Sequence, residues 1–429
     1  MIYFILFFLL IVIIITWFIE KKIANPIIIF SSIWFFIILM ASLKLYNMIE
    51  YTNKSLGIIF TGLVFFIFGA YICMFSINKK RENTFEICKT QEKKYNEGIR
   101  IKIVEVMLIF GIILTLILSV KVMMVLKSGV PYTNIRSLYY SYGEGSLIKN
   151  EKIFTLFDWS ISIIFSTSTA IIIMSLFKSK CGKILIIEYG IFLILYVFST
   201  SGRMPLIVLT IEVILMFMLN KKQITKKIKK IAFSLISVLL IGFISMTLIR
   251  TSNAQNEDVN SIYAYFSLPL PYFSRMVDIV DVNDYNTHGL ATCYGPYLLV
   301  QKAVKILTGY KFENAEMLAK IITMPQTYWL RAFMDTKDYY NAYATMFYSF
   351  YLDFRWIGIV IFSFLYGIFM EYIYLKNKYI GTFKTTAYYL IFTIGMIQSF
   401  ASWHFASPTL LISLLVIKYI CSKKEVKNE

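Results

Sequence analysis

A chain of 429 residues that is 58% hydrophobic and 17% aromatic, with a mean hydropathy of +0.67, carries more apolar surface than a soluble domain can bury. Its net charge of +18 does not point to nucleic acid, because the bases fall in alternate gaps between apolar runs, as membrane topology signals do. The five cysteines show no metal-type Cys/His spacing, and only Cys293 falls on the outer side of the expected topology, so no disulfide can join two outer loops.

A bilayer core of about 30 Å is crossed by about 20 helical residues. Apolar runs of roughly that length fall at residues 1–19, 27–45, 55–77, 103–126, 153–177, 184–200, 204–219, 231–249, 345–375, 385–402 and 405–420. They are continuous rather than alternating, which argues against a β-barrel, the other backbone arrangement that lipid tolerates. The expected fold class is therefore all-α: one polytopic integral membrane domain over residues 1–429 with about 11 transmembrane helices. The first run has no basic stretch before it and no small-residue cleavage site before Glu20, so it is expected to be a retained helix rather than a signal peptide.

Basic clusters at Lys21–Lys22, Lys79–Lys102, Lys178–Lys183, Lys221–Lys230, Lys376–Lys384 and Lys418–Lys427 mark the inner side of every second turn. The N-terminus is then expected outside and the C-terminus inside. Two outer loops follow from that orientation. The shorter, Lys127 to Lys152, is rich in Tyr, Ser and Gly around Arg136. The longer, residues 250–344, is the one large polar stretch of the chain and is nearly neutral, with nine carboxylates and eight bases. Amphipathic helical patterns appear in it at Pro296–Leu307 and Glu313–Thr323, broken by Gly309 and Pro325. Its beginning, Tyr263–Phe273, combines aromatics with two prolines, a composition suited to the lipid headgroup level.

Residues able to carry chemistry are few. Arg203 stands in a tight break, Ser199-Thr200-Ser201-Gly202-Arg203-Met204-Pro205, between two apolar runs. There a guanidinium can fork onto phosphate oxygens while Pro205 opens the next helix; a bland alternative is an interfacial arginine reaching for lipid headgroups. Glu212 lies about 13 Å further along that helix and should face the bundle interior, paired with Lys121 or an arginine, or in contact with a proton or substrate. In the long loop, Arg275, Asp278, Asp281, Asp284 and His288 fall in one run. Arg275, Asp278 and Asp281 share a helical face at i, i+3 spacing. His288 is the best general base by intrinsic pKa, with Asp278 or Asp281 next. His404 sits in a second tight outer turn, and Arg250 and Arg331 complete the set of outer-face cations. No nucleotide loop, nucleophile elbow, zincin box or CxxC pair is present, and no metal or cofactor is expected.

The Ser201-Gly202-Arg203 turn, the large loop in the C-terminal half, the stretch Asn341-Ala342-Tyr343-Ala344-Thr345 and the stretch Tyr351-Leu352-Asp353-Phe354-Arg355-Trp356-Ile357-Gly358 followed by Tyr366-Gly367 together resemble the Wzy-type oligosaccharide repeat-unit polymerases of O-antigen and capsule synthesis. Family members commonly carry glycine where this chain has Arg355. The resemblance implies a GT-C-like, O-antigen-ligase-like bundle in the bacterial cytoplasmic membrane. It also implies metal-independent, inverting glycosyl transfer on the outer leaflet. The donor would be a glycan on undecaprenyl pyrophosphate and the acceptor a new lipid-linked repeat unit, with a flippase and a chain-length regulator as possible partners besides membrane lipid. On that reading Arg203, Arg275 and Arg250 or Arg331 neutralise the departing pyrophosphate. His288, Asp278 or Asp281 takes the acceptor proton, and Asp353 holds Arg355 or an incoming arginine. The competing classes are a transporter or flippase of lipid-linked oligosaccharide and a membrane acyltransferase acting on the same glycans.

Overall fold

The computed structural model describes residues 1–79, 95–97, 99–141, 143, 145–177, 182–219, 237, 261–310, 312–336, 339–421 and 423–425. Apart from Ser237, the run at 231–249 lies outside the described residues, as do Arg250, Cys88, Cys181 and the charged segment 221–230. The described chain is almost entirely helical: α1 (Ile2–Glu20), α2 (Pro26–Ser42), α3 (Asn53–Lys79), α4 (Ile101–Lys127), α5 (Ile135–Tyr139), α6 (Glu151–Phe177), α7 (Lys183–Thr200), α8 (Met204–Leu219), α9 (Ser261–Ser267), α10 (Pro269–Val282), α11 (Tyr294–Thr308), α12 (Ala315–Thr327), α13 (Thr345–Ile380), α14 (Phe383–Ile397) and α15 (Pro408–Ile420). One short antiparallel pair, Tyr95–Glu97 with Lys423–Glu425, is also formed. By length and composition α1, α3, α4, α6, α7 and α13 can cross a membrane, and α2, α8 and α15 are shorter apolar helices.

Two compact units emerge. The first comprises Met1–Lys89, Gln255–Ile380 and Phe392–Leu411; the second comprises Thr90–Ala254, Gly381–Ile391 and Ile412–Glu429. In the second unit, α4 packs on α7 and α6, and α8 on α6. Gly111 permits the first of these approaches, since a Cβ there would lie 2.9 Å from the Phe192 ring.

The core of the first unit is the pairing of α3 with α13, and small residues explain how close it is. A Cβ on Gly69 would lie 2.2 Å from the carbonyl oxygen of Phe364, and one on Gly367 would lie 2.0 Å from that of Phe66. The two backbones touch through these glycines, as helices do where apolar burial alone cannot drive association in lipid. Helix α2 starts sharply because Asn25 accepts the Ile27 N–H at 2.8 Å and Pro26 follows it; a capping oxygen and a first-position proline are strong start signals.

The apolar run expected as a single span at 345–375 is divided. Phe354 (φ −145°, ψ 28°) and Arg355 (φ 53°, ψ −133°) leave helical geometry inside α13. A Cβ on Gly358 would lie 2.1 Å from the carbonyl oxygen of Phe350, although residues eight apart on a straight helix are separated by about 12 Å. The chain therefore doubles back at Phe354–Arg355. The arm Thr345–Asp353 is buried along its whole length, whereas Trp356 and Ile357 beyond the turn are 41% and 66% exposed. The physical cause is the pair of small and polar residues at the reversal: Gly358 lets the arms meet, and Asp353 has partners outside the helix.

Candidate functional site

Several charged groups meet at the reversal in α13. Asp353, fully buried, accepts from the Thr287 hydroxyl at 2.5 Å, from Ala291 N at 2.9 Å and from Thr292 N at 2.8 Å. Thr287 N in turn donates to Leu352 O at 3.1 Å. This carboxylate holds the loop between α10 and α11 against the turn of α13. The expectation that Asp353 holds Arg355 is corrected: its oxygens are taken by the loop. Arg355 points the other way, donating through Nη2 to Asp284 Oδ1 at 3.0 Å and to Val280 O at 3.2 Å. Its Nη1 is buried without a hydrogen-bond partner among the described residues.

Beside it, Lys54 in the first turn of α3 pairs with Asp281 on α10 at 2.5 Å, and Tyr351 donates its hydroxyl to the other oxygen of Asp281 at 2.8 Å. The Tyr351 ring is shared by both cations, 5.4 Å from the Arg355 guanidinium and 5.8 Å from Lys54 Nζ, within cation–π reach. The start of α3 is registered on α10 by Thr52 N donating to Ser274 Oγ at 3.0 Å. Lys54, Asp281, Tyr351, Arg355 and Asp284 thus form one half-exposed cluster. The Asp284 side chain is 98% exposed, so its pairing with Arg355 is solvent-screened and weak.

Helix α10 does place Arg275, Asp278 and Asp281 on consecutive turns. Arg275 is exposed and donates through Nε to the Tyr328 hydroxyl at 3.1 Å. Asp278 is half-buried. Asp281 already holds Lys54 and Tyr351. His288 is exposed, takes a left-handed backbone (φ 50°) and sets its ring 6.4 Å from that of Phe354 at the reversal. It therefore sits in the loop that Asp353 tethers, on the rim of the cluster. Arg331 is a staple of its own loop: Nε donates to Thr336 O at 2.8 Å and Nη2 to Met334 O at 3.0 Å.

His404 belongs to a neighbouring turn, His404–Ala406, between α14 and α15. A Cβ on Gly395 would lie 2.4 Å from its ring. Although part of its surface is accessible, enclosure by the surrounding protein holds its imidazole down to about 4. The adjacent Trp403 donates to Thr292 O at 2.7 Å, tying this turn to the loop that Asp353 holds. No protein-family model, curated protein or solved structure matches the chain.

In the second unit, the three residues between α7 and α8 form the expected tight break. Ser201 is left-handed (φ 48°), Gly202 N donates to Thr200 Oγ1 at 3.2 Å, and the Arg203 carbonyl accepts from Leu206 N and Ile207 N at 3.2 and 3.3 Å. Arg203 is half-buried at the helix start. Glu212 is 1% exposed, and its Oε2 has no hydrogen-bond partner among the described residues. The expected pairing with Lys121 is not formed: that ammonium donates to Leu147 O at 3.2 Å.

Lys54 and Tyr351 were not legible as site residues. Lys54 reads as an ordinary outer-face cation at the start of an apolar run, and Tyr351 as one aromatic among many. Arg355 was marked by its charge inside an apolar run and by the glycine that the resembling family carries there. Among the described residues no group of three or more His, Cys, Asp or Glu is placed to hold a metal ion.

Proposed function

We propose that this chain polymerises lipid-linked oligosaccharide repeat units by inverting glycosyl transfer at the extracytoplasmic face of a bacterial cytoplasmic membrane. The observation that carries the reading is the cluster at the α13 reversal, with two cations, one of them an arginine in a strained backbone conformation, and a carboxylate-tethered loop bearing a histidine. The acceptor hydroxyl loses its proton to His288 or Asp278 as its oxygen attacks the anomeric carbon. The bond from that carbon to the pyrophosphate breaks, and the lipid pyrophosphate leaves with the electron pair. Arg355 and Lys54 are added to Arg275 as the cations that stabilise the leaving group, because the Arg355 side chain is partly exposed and Lys54 is half-exposed. Such charge stabilisation is usually the largest catalytic term. Asp281, with Lys54 and Tyr351 both bound to it, fits an orienting role better than a base. Arg203 is a separate pyrophosphate-binding candidate by the chemistry of its own turn, Arg250 is one by its sequence position alone, and Arg331 fits loop support.

Purified chain supplied with a synthetic undecaprenyl-pyrophosphate repeat unit should yield a ladder of longer glycans. In cells, Arg203→Ala should leave single repeat units on the lipid with normal membrane insertion. Wild-type chain lengths in that variant would remove Arg203 from the reaction. Accumulation of repeat unit in the inner leaflet would point to a flippase instead.

A further inference from the structure

Helix α11, Tyr294–Thr308, is amphipathic by sequence and uncovered in the fold. At 100° per residue, Leu299, Val300, Ala303, Ile306 and Leu307 occupy one half of its circumference and Lys305 lies opposite. Only Tyr294 and Gly295 are buried. Val300 is 56% exposed, and Ile306 and Leu307 are each 82% exposed. A run of large aliphatic side chains left in the open on one stripe marks an interaction surface rather than scattered surface apolarity.

The first turn of this helix is fixed at the end of the apolar helices. A Cβ on Gly295 would lie 2.5 Å from Phe405 O and 2.8 Å from Ser407 O, so the helix start is seated on the turn that leads into α15. Trp403 donates to Thr292 O, and Asp353 holds Thr292 N. From that anchored end the helix runs about 22 Å and stops at Gly309, in the left-handed conformation (φ 72°). Two aromatics follow. Tyr310 is 55% exposed, and Phe312 packs edge-on to Tyr297 and Tyr310 at 6.0 and 5.5 Å.

We propose that α11 is an interfacial helix that lies on the phospholipid surface beside the bundle, with Val300, Ile306 and Leu307 in the acyl boundary and Lys305 among anionic phosphates. Continuity with the apolar helices decides the occupant. The helix begins where α14 and α15 turn round, so its uncovered face meets the same bilayer that those helices enter. A second copy fits poorly: one short stripe falls well below the roughly 1,200–2,000 Å² of a stable protein interface. An aliphatic stripe with Lys302 at its edge and Lys305 opposite, followed by aromatic rings, matches the composition of helices that lie in the membrane interface.

The test uses the full-length chain with its five cysteines changed to serine, spin-labelled singly at residues 300, 305, 306 or 307 in nanodiscs of phosphatidylcholine with and without phosphatidylglycerol. Labels at 306 and 307 should collide several-fold more with oxygen than with a water-soluble nickel complex, and the label at 305 should show the reverse ratio. Phosphatidylglycerol should deepen 306 and 307, and Lys305→Glu should abolish that deepening. Free access of nickel to 306 and 307 would overturn the proposal. So would their protection from both reagents, which would mean that protein covers the face. Depth indifferent to phosphatidylglycerol would overturn its anionic part. The unmodified chain gives an independent reading: phosphatidylglycerol carrying a diazirine in its acyl chain should label the 296–307 peptide, and absence of that adduct where spans of α4 are labelled would also overturn it.

Discussion

Asp353 and Thr292 are joined by a 2.8 Å hydrogen bond from backbone to carboxylate, and that bond connects the reversal of α13 to the start of α11. The same carboxylate takes Thr287 and Ala291, so one buried charge organises the loop that carries His288. Without these donors its burial would be very costly. With them, the site rim is tied to the turn of α13 through one carboxylate.

Replacing Asp353 by alanine strands those donors in the interior. Each hydrogen bond to a charged group contributes about 1.5–3 kcal/mol, so Asp353→Ala should lower stability by at least about 3 kcal/mol. Asp353→Asn, which keeps the acceptor oxygen, should lose less. Thermal unfolding in detergent orders the two variants, and equal midpoints for Asn, Ala and the parent would contradict the tether.

Arg355 adopts a backbone conformation that glycine occupies without cost (φ 53°, ψ −133°), a strain of about 1–3 kcal/mol for any other residue. Arg355→Gly should therefore keep or raise thermal stability while removing the guanidinium from the site. If Arg355 assists the leaving group, polymer formation falls by about 10²–10³-fold. A variant that loses stability would show that its contacts with Asp284 and Val280 outweigh the strain.

Lys54→Met removes the partner of Asp281 while preserving side-chain length. The pair is only half-buried, so stability should change by about 1 kcal/mol or less. Glycan transfer should drop far more if Lys54 faces the substrate. Chain-length distributions and unfolding midpoints measured on one preparation separate the two effects.

His404 carries a depressed folded pKa of about 4. The unfolded chain binds the proton first, so this histidine's contribution to stability is complete above about 6.5. It is lost as pH falls through that value towards about 4. His404→Gln should flatten the difference in unfolding midpoint between pH 7 and pH 4.5 relative to the parent, with no change above pH 7.

Cys293 is exposed, whereas Cys73 and Cys421 are buried. Burial of part of its surroundings, with Asp353 nearby, raises its thiol pKa, so alkylation should be slow at neutral pH and quicken as pH rises. A membrane-impermeant maleimide applied to intact cells should still label it. Labelling only after lysis would place the loop in the cytosol and end the extracytoplasmic reading.

Composition and hydrophobic run length alone determined that this is a helical chain with helices fit for a membrane, because bilayer thickness and backbone hydrogen bonding leave few alternatives. The tight break at Arg203, the helical face of Arg275, Asp278 and Asp281, and the amphipathic run after Pro296 were also legible, since each is a local pattern of spacing or turn chemistry. Only the tertiary structure decided that α13 reverses at Arg355, that Asp353 serves the loop rather than an arginine, and that Lys54 meets Asp281. Those are meetings between residues far apart in the chain, fixed by where glycines let backbones touch and where buried donors find a carboxylate, and no local periodicity encodes them.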